Sequence, residues 1–313
     1  MKILIVSGTK IAFNKDMPMR WHMLPHEFVN SGHNVKYLLK KDWWKYPFVY
    51  FSFKPDVVIG TGLFCFIPSW FYKLKIFRKP VVFDWNDVYH EVMGRKYSPA
   101  IISFIELFNA KNSTIVITPS LYLKDKCDTL RINAKFIEHG CDLEPINLHK
   151  NEFNTKFNVV YVGEISQYKG APELINSVKL IPFVDLYLFG QNYITDFNMD
   201  YKNVHYMGII SKEKINKYLQ SADILVLANN QDSALKMYDY IKVKGVILAK
   251  KGRINYILEH KVNAYLCEDF KEGILELYKN IELRKEIKKN ISKFKVKSWK
   301  EISAKYVKTI ENL

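Results

Sequence analysis

The stretch that most constrains the fold runs from Ala222 to Lys250, with the sequence ADILVLANNQDSALKMYDYIKVKGVILAK. Its pattern predicts a buried strand at Ile224–Leu227, a polar loop at 229–232, a helix at about 233–244 and a second strand at 246–248. This order places the helix N-terminus at the carboxyl edge of a parallel sheet, where free N–H groups and the helix dipole favour an anion. The stretch therefore predicts a phosphate site.

Two charged residues of this helix, Lys236 and Asp239, are three positions apart and share one face. The lysine can pair with a phosphate, while the carboxylate can accept hydrogen bonds from a diol. The alternative is an ordinary surface ion pair on the helix of a βαβ unit. Alternating strand and helix patterns continue along the whole chain and predict an α/β architecture of doubly wound domains.

Length and composition limit the number of domains and the class of protein. A chain of 313 residues with 48% hydrophobic residues suits two domains with packed cores. The four cysteines form no CxxC pair, so we expect buried thiols in a reducing compartment. The start MKILIVSGT enters a strand directly, so we expect no signal peptide and a cytoplasmic location.

The string SALKMYDYIKVKGVILA resembles the donor-nucleotide segment of family-4 glycosyltransferases, which have the GT-B fold. The resemblance implies that Asp239 holds the ribose hydroxyls of a nucleotide and that Gln231 holds the donor sugar. Gln231 stands where the family has an acid, and it brings an amide without charge. The remaining donor-binding residues that the resemblance implies are Ser233, Ala234, Leu235 and Lys236.

A second part of the resemblance lies where a strand ends at Gly163-Glu164 and Lys169-Gly170 precedes a helix. In the family an arginine and a lysine at this turn together bind the pyrophosphate. Lys169 matches the lysine, whereas Glu164 stands where the arginine is expected. We expect this exchange to weaken the phosphate site unless Glu164 points away from it, or Arg253 or Lys236 takes the place of the arginine.

The first half resembles the acceptor domain of the same family. Its glycine loop, here with Gly8, lies beneath the donor phosphates, and Asn86 and Asp87 follow a strand where the family contacts the transferred sugar. An acid pair for a metal is not expected, since Asp84 and Asp87 are three positions apart with an amide between them. Three further residues are candidates for the cleft between the domains: Arg20, His22 and His139. Ordinary exposed side chains at Arg20 and His22, and a linker-holding role for His139, are the alternatives.

The resemblance covers nearly the whole chain and implies two doubly wound Rossmann-like domains facing a cleft. The acceptor domain would span residues 1–148 with a C-terminal helix, 298–313, crossing back to it, and the nucleotide-sugar domain would span 149–297. The implied activity transfers a sugar from a nucleotide-diphosphate sugar to a glycan or lipid-linked acceptor hydroxyl, with retention of configuration. Lys169 would stabilise the leaving diphosphate, and no metal or other cofactor is expected.

The net charge of +15 indicates affinity for anions such as nucleotide diphosphates, acidic membranes or nucleic acid, unless it reflects only a solvated lysine-rich surface. Aromatic residues alternate with lysines in WFYKLKIFRK and in the predicted loop WWKYPFVYF, Trp43 to Phe51. Such segments suit a membrane interface, so we predict peripheral attachment to an anionic membrane surface. Core packing with outward lysines is the alternative, and nucleic acid is a less favoured partner.

Two further functions stay open at this stage. A nucleotide-sugar epimerase has the same two-domain shape, and a non-catalytic glycan- or nucleotide-binding relative is suggested by Glu164, Gln231 and Asn86. A nicotinamide dehydrogenase is disfavoured, because no GxGxxG follows a predicted strand. The sequence leaves open the nucleotide base, the sugar and the acceptor.

Overall fold

The computed structural model describes residues 1–7, 20–93, 97–144, 153, 156–194 and 201–313. The chain divides into two units, one formed by Met1–Gly140 with Lys297–Leu313 and the other by Cys141–Val296. The domain boundary predicted at residue 148 lies outside the described residues.

The first unit is built on a parallel sheet in the order β2-β1-β3-β4-β5-β6. Its central strands are apolar runs buried on both faces, as expected for a sheet covered on each side by helices. Within the described residues the strands are β1 (Lys2–Ser7), β2 (Asn34–Leu39), β3 (Val57–Thr61), β4 (Val81–Asp84), β5 (Ile115–Thr118) and β6 (Ala134–Phe136).

Helices connect these strands in turn. Ser120 caps one of them by accepting a hydrogen bond from the Leu123 N–H at 3.0 Å. The helices before residue 140 are α1 (Arg20–Asn30), α2 (Tyr46–Phe53), α3 (Phe66–Lys73), α4 (Tyr89–Met93), α5 (Pro99–Lys111) and α6 (Leu121–Thr129).

The second unit has a parallel sheet in the order β12-β11-β10-β7-β8-β9. All six residues of β8 are buried. The strands are β7 (Phe157–Val162), β8 (Val184–Phe189), β9 (Val204–Gly208), β10 (Ile224–Leu227), β11 (Ile247–Lys250) and β12 (Tyr265–Cys267). The helices are α7 (Ala171–Val178), α8 (Lys212–Ser221), α9 (Leu235–Lys242), α10 (Phe270–Lys279) and α11 (Ile281–Ile291).

The last helix, α12 (Trp299–Glu311), belongs to the first unit, which confirms the predicted return of the chain. It begins with a capping box, in which Ser298 and Glu301 exchange hydrogen bonds of 3.2 and 2.8 Å. Its Tyr306 ring packs on α1, 5.6 Å from Phe28 and 6.3 Å from Trp21 between ring centroids.

The prediction of a loop from Trp43 to Phe51 is wrong. The chain forms a 3₁₀ helix at Lys40–Lys45 and then α2, whose first turn accommodates Pro47. The Tyr46 ring is buried 5.5 Å from Phe71 and 5.5 Å from Phe77, so tertiary packing stabilises a helix that has no apolar stripe to reveal it.

The helix predicted for residues 233–244 is shorter in the structure, where α9 spans Leu235–Lys242. Ala234 still has extended backbone angles, φ −67° and ψ 116°, so the helix begins one residue later. Lys244 is left-handed at φ 57°, and the Gly245 N–H closes the helix on the Tyr240 carbonyl at 3.0 Å. No helix in the described ranges is both long and apolar enough to cross a bilayer.

Candidate functional site

The predicted donor residues of the second unit lie at one edge of its sheet. Strands β7 and β10 pair in parallel, so the loops that follow Val162 and Leu227 leave the sheet at the same carboxyl edge. The strand order reverses between these two strands, because β8 and β9 extend one side of β7 while β10 to β12 extend the other. Ligands of open α/β sheets bind at such a switch point.

A close backbone approach brings the two loops together. Gly170, the residue before α7, has φ 75°, and a Cβ atom added there would lie 2.4 Å from the Ala228 carbonyl oxygen. Only glycine fits both the left-handed backbone and the contact. This approach places Lys169, after β7, beside the loop that follows β10.

Gln231 is the centre of the resulting polar cluster. Its Oε1 accepts hydrogen bonds from Asn229 Nδ2 at 3.0 Å and from Lys169 Nζ at 3.5 Å, and its Nε2 donates to the Tyr168 hydroxyl. The Gln231 side chain is buried. The cluster therefore fixes the direction of the amide that stands at the family's acidic position.

The replacement of that acid by Gln231 changes the electrostatics around Lys169. Within the described part of the chain, no carboxylate lies at ion-pair distance from Lys169, whose Nζ instead contacts the amide and lies 5.1 Å from the Tyr168 ring centroid. An ammonium group with only neutral partners keeps its charge available for an anion. Lys169 is thus suited to bind a phosphate.

Asp239 lies on α9 and has both carboxylate oxygens engaged. Lys236 Nζ donates to Oδ2 at 3.1 Å, and Cys141 Sγ donates to Oδ1 at 3.1 Å. Burial, with a smaller effect of the Asp239 charge, raises the pKa of the Cys141 thiol well above its usual range. The thiol therefore stays protonated as a donor, and each carboxylate oxygen keeps a lone pair for a ligand hydroxyl.

The position of α9 is fixed by a buried tyrosine. The Tyr240 hydroxyl accepts a hydrogen bond from the Val162 N–H at 3.1 Å and donates to the Val226 carbonyl at 3.4 Å. The helix is thereby attached to the ends of β7 and β10. Its N-terminus consists of Ser233, Ala234 and Leu235, and Ala234 at the N-cap offers no side chain to occupy the first N–H groups.

The residues at the expected arginine position are arranged differently. The Glu164 side chain is exposed, and its carbonyl accepts a hydrogen bond from the Tyr161 hydroxyl at 2.7 Å. The preceding Gly163 N–H donates to the Phe189 carbonyl at 2.9 Å. Arg253 lies beside the loop after β10, because the N–H of the next residue, Ile254, donates to the Asn230 carbonyl at 3.0 Å.

In the first unit, Arg20 is buried and tied to the protein. Its guanidinium forms an ion pair with Asp84 at 3.2 Å and donates to the carbonyls of Ile137 and Glu138 at 3.2 and 3.1 Å. Trp21 Nε1 also donates to Asp84 at 3.2 Å. Burial raises the pKa of the Asp84 carboxyl, and the guanidinium opposes that effect. These bonds hold the end of β4, where the loop with Asn86 begins.

That loop is anchored by a residue that sequence analysis missed, Glu106 of α5. Its fully buried carboxylate accepts hydrogen bonds from Trp85 Nε1 at 3.2 Å and from the Tyr89 N–H at 2.6 Å, and bonds to His90 Nδ1 at 2.6 Å. Asn86 and Asp87, both partly buried, lie between these contacts. A lone glutamate inside the apolar run PAIISFIELF was the available signal.

The remaining predicted residues are distributed as follows. His22 is partly buried on α1, and His139 is buried with its ring 6.1 Å from the Trp299 ring. Gly8 lies outside the described residues. In the described ranges, no group of three or more His, Cys, Asp and Glu is placed to hold a metal ion.

The fold matches that of solved structures. Over 99% of the chain, the structure matches 98% of sucrose-phosphate synthase from Thermosynechococcus elongatus, with a TM-score of 0.79 and 12% identity. It also matches HepE from Anabaena, solved in complex with UDP, over 100% of both chains with a TM-score of 0.77 and 14% identity. The fold is therefore GT-B, with two Rossmann-like domains in one chain.

Sequence comparison identifies the family of the second unit. Residues 156–280 match the family described as glycosyl transferases group 1, so the chain contains a domain of that family. An uncharacterized glycosyltransferase of Methanocaldococcus jannaschii is 28% identical over 222 residues, which cover 64% of this chain. The match spans 60% of the length of that curated relative.

Proposed function

We propose that the protein is a retaining glycosyltransferase that uses a nucleotide-diphosphate sugar. The observation that carries the proposal is the arrangement at the switch point of the second unit. There Lys169 has no carboxylate partner among the described residues, Gln231 is fixed beside it, and α9 presents Asp239 and an N-cap without a polar side chain. Lys169 and the helix N-terminus suit the phosphates of the donor, Gln231 suits its sugar, and Asp239 suits its ribose.

The roles follow from the chemistry of each side chain. As the bond between the anomeric carbon and the diphosphate oxygen breaks, negative charge develops on the diphosphate, and Lys169 Nζ and the N-terminus of α9 stabilise it. Gln231 binds a sugar hydroxyl, and Asp239 binds the ribose diol. Asn86 and Asp87, in the first unit, contact the sugar during transfer.

The Lys236 ammonium has a different role from that of a phosphate ligand. It pairs with Asp239 at 3.1 Å, so it orients the carboxylate for the ribose. Arg253, beside the loop after β10, is the cation that compensates for Glu164 at the pyrophosphate.

The structures of HepE in complex with UDP and with UDP-glucose support a nucleotide-sugar donor. A non-catalytic relative is the second candidate, favoured by the exposed Glu164 carboxylate at the expected arginine position. An epimerase of the same fold is the third, and it would convert the donor sugar into its epimer without any need for an acceptor.

The test is calorimetric titration with UDP and with GDP, on the wild type and on Asp239→Ala, followed by a sugar-transfer and donor-hydrolysis assay with the base that binds. Loss of a charged hydrogen bond costs about 1.5–3 kcal/mol, so the variant should bind roughly tenfold to a hundredfold more weakly. The matched control is Glu282→Ala, which removes an exposed carboxylate from α11 of the same unit.

The candidates give different outcomes, and conversion of the donor sugar without an acceptor would favour the epimerase. Binding that depends on Asp239, together with transfer to an acceptor, supports the proposal. Binding without turnover of any sugar donor favours the non-catalytic relative. Equal binding by Asp239→Ala and the wild type would overturn the donor-site assignment.

A further inference from the structure

One surface of the first unit carries exposed aromatic and aliphatic side chains from several elements. On and before α2, Trp44, Phe48 and Phe51 are 58%, 73% and 63% exposed, and on α5 Phe104 is 65% exposed. Contiguous exposed apolar patches are rare on soluble monomers and mark interaction sites. The other members of this set are Trp43, Trp70, Leu74, Ile76 and Ile101. We call the set the aromatic face.

The elements of the aromatic face lie side by side. The connections from β2 to β3, β3 to β4 and β4 to β5 all progress in one direction along the sheet. Right-handed crossovers therefore place α2, α3 and α5 on the same side of it.

Ring contacts join these helices. On the α2 side, the Phe77 ring lies 5.3 Å from Phe51 and 4.7 Å from Phe71 of α3. On the other side of α3, the Trp70 ring stacks on Phe108 of α5 at 5.8 Å. These ring contacts therefore connect the three helices that carry most of the aromatic face.

Helix α2 is apolar on every side. Its sequence YPFVYFSF contains one serine and no charge, yet Tyr46 is its only buried residue. A helix that is hydrophobic all round normally has apolar surroundings all round. The core of the first unit supplies them on one side only.

Positive charge surrounds the aromatic face. Residues 40–79 contain eight lysines and arginines but only two aspartates, and residues 57–83 contain no acid. Lys73, Lys75, Arg78 and Lys79 are exposed. Lys45 and Lys73 lie 5.1 Å from the ring centroids of Trp44 and Phe108. Among the described residues, only Lys45 of this group forms an ion pair, with Asp42.

We propose that the aromatic face docks on the surface of an anionic lipid bilayer. The rings would lie at the level of the headgroups and the ammonium groups would contact anionic lipid, which is how interfacial proteins use these residue types. Protein interfaces are depleted in lysine, so a protein partner fits the composition less well. Single-stranded nucleic acid stacks on rings but gains nothing from Leu74, Ile76 and Ile101.

The experiment is vesicle flotation with phosphatidylcholine alone and with phosphatidylcholine mixed with phosphatidylglycerol, at low and high salt. We expect the wild type to float only with the mixed vesicles and to be released by salt. The double variants Trp44→Ser with Phe48→Ser, and Lys73→Glu with Lys75→Glu, should each lower the bound fraction at least several-fold.

Two controls match the substitutions in kind. Lys288→Glu with Lys289→Glu makes the same charge change on exposed positions of α11, and Ile281→Ser removes an exposed apolar side chain from the second unit. Both should float like the wild type. Thermal melting followed by circular dichroism checks that every variant keeps the fold. We expect it to do so, because the substituted positions are exposed.

Equal flotation with the two vesicle types, or equal losses in the controls, would overturn the proposal. A dimer in sedimentation that Phe48→Ser dissociates would also overturn it, because a second copy would then cover the face. Asp239→Ala should float like the wild type. Failure of membrane docking and failure of the donor site are therefore distinguishable.

Discussion

The Cys141 thiol donates a hydrogen bond to Asp239 Oδ1 across 3.1 Å, although the two residues are 98 positions apart in the chain. Asp239 is the carboxylate assigned to the ribose, and Lys236 holds its other oxygen at 3.1 Å. Cys141 thus orients a carboxylate of the proposed donor site, in addition to being one of four buried free thiols.

Cys141→Ala should weaken nucleotide binding about twofold to tenfold, because a typical hydrogen bond contributes about 0.5–1.5 kcal/mol. Cys141→Ser keeps a donor of similar size and should restore affinity to within about threefold of the wild type by the same estimate. Calorimetric titration with the nucleotide measures both. If the serine variant is as weak as the alanine variant while both melt normally, the thiol acts only by packing.

Lys169→Met should lower kcat for sugar transfer about a hundredfold, since it removes a cation that acts on charge developed in the transition state. The KM for the donor should change much less. Lys179→Met is the matched control, because Lys179 belongs to the same unit and, among the described residues, its ammonium contacts the Tyr201 hydroxyl and ring. Steady-state kinetics measure kcat and KM separately. An effect confined to KM would contradict the role of Lys169 in stabilising the transition state.

Arg20→Met should lower the free energy of unfolding by about 3–5 kcal/mol, because it leaves the Asp84 carboxylate buried without its cation. Adding Asp84→Leu should recover a large part of the loss. Denaturant unfolding measures both. Lys124→Met breaks an exposed (i, i+4) pair with Asp128 and should cost less than about 1 kcal/mol. A loss for Arg20→Met as small as this control would argue against the buried pair.

We expect the stability of α12 to depend on pH through the Glu138 carboxylate. Partial burial opposes its ionisation, but hydrogen bonds from Lys297 at 2.6 Å and Lys305 at 2.5 Å prevail and lower its pKa from 4.5 to about 2. The unfolded chain binds the proton more tightly, so the ion pairs stabilise the fold above the ordinary pKa. That stability is lost as the pH falls from about 4.5 to 2.

Glu138→Gln should therefore lower the free energy of unfolding at neutral pH by on the order of 1 kcal/mol, allowing for solvent screening of the exposed lysines. The difference from the wild type should vanish near pH 2, the folded-state pKa. Hydrogen exchange of the α12 amides measures it locally. A difference that persists at low pH would mean that the amide disturbs packing rather than charge.

Local sequence patterns indicate much of the fold. Short apolar runs form the central strands, and Ser298 with Glu301 begins α12. These signals are local because a strand buried on both faces needs a continuous apolar run, and a cap needs its partner three residues away. The boundaries of α9 shifted by two residues at each end, since backbone angles at Ala234 and Lys244 decide them.

The sequence by itself also determined which residue types could form the donor site, since Lys169, Gln231 and Asp239 stand in recognisable segments. Only the tertiary structure decided their partners. Gln231 is fixed by Tyr168, and Asp239 by Cys141. The side chain of Glu106 anchors the loop with Asn86, and α2 is a helix because Tyr46 packs on distant rings. Such contacts join positions far apart in the chain, so the topology of the two sheets sets them and no local pattern can.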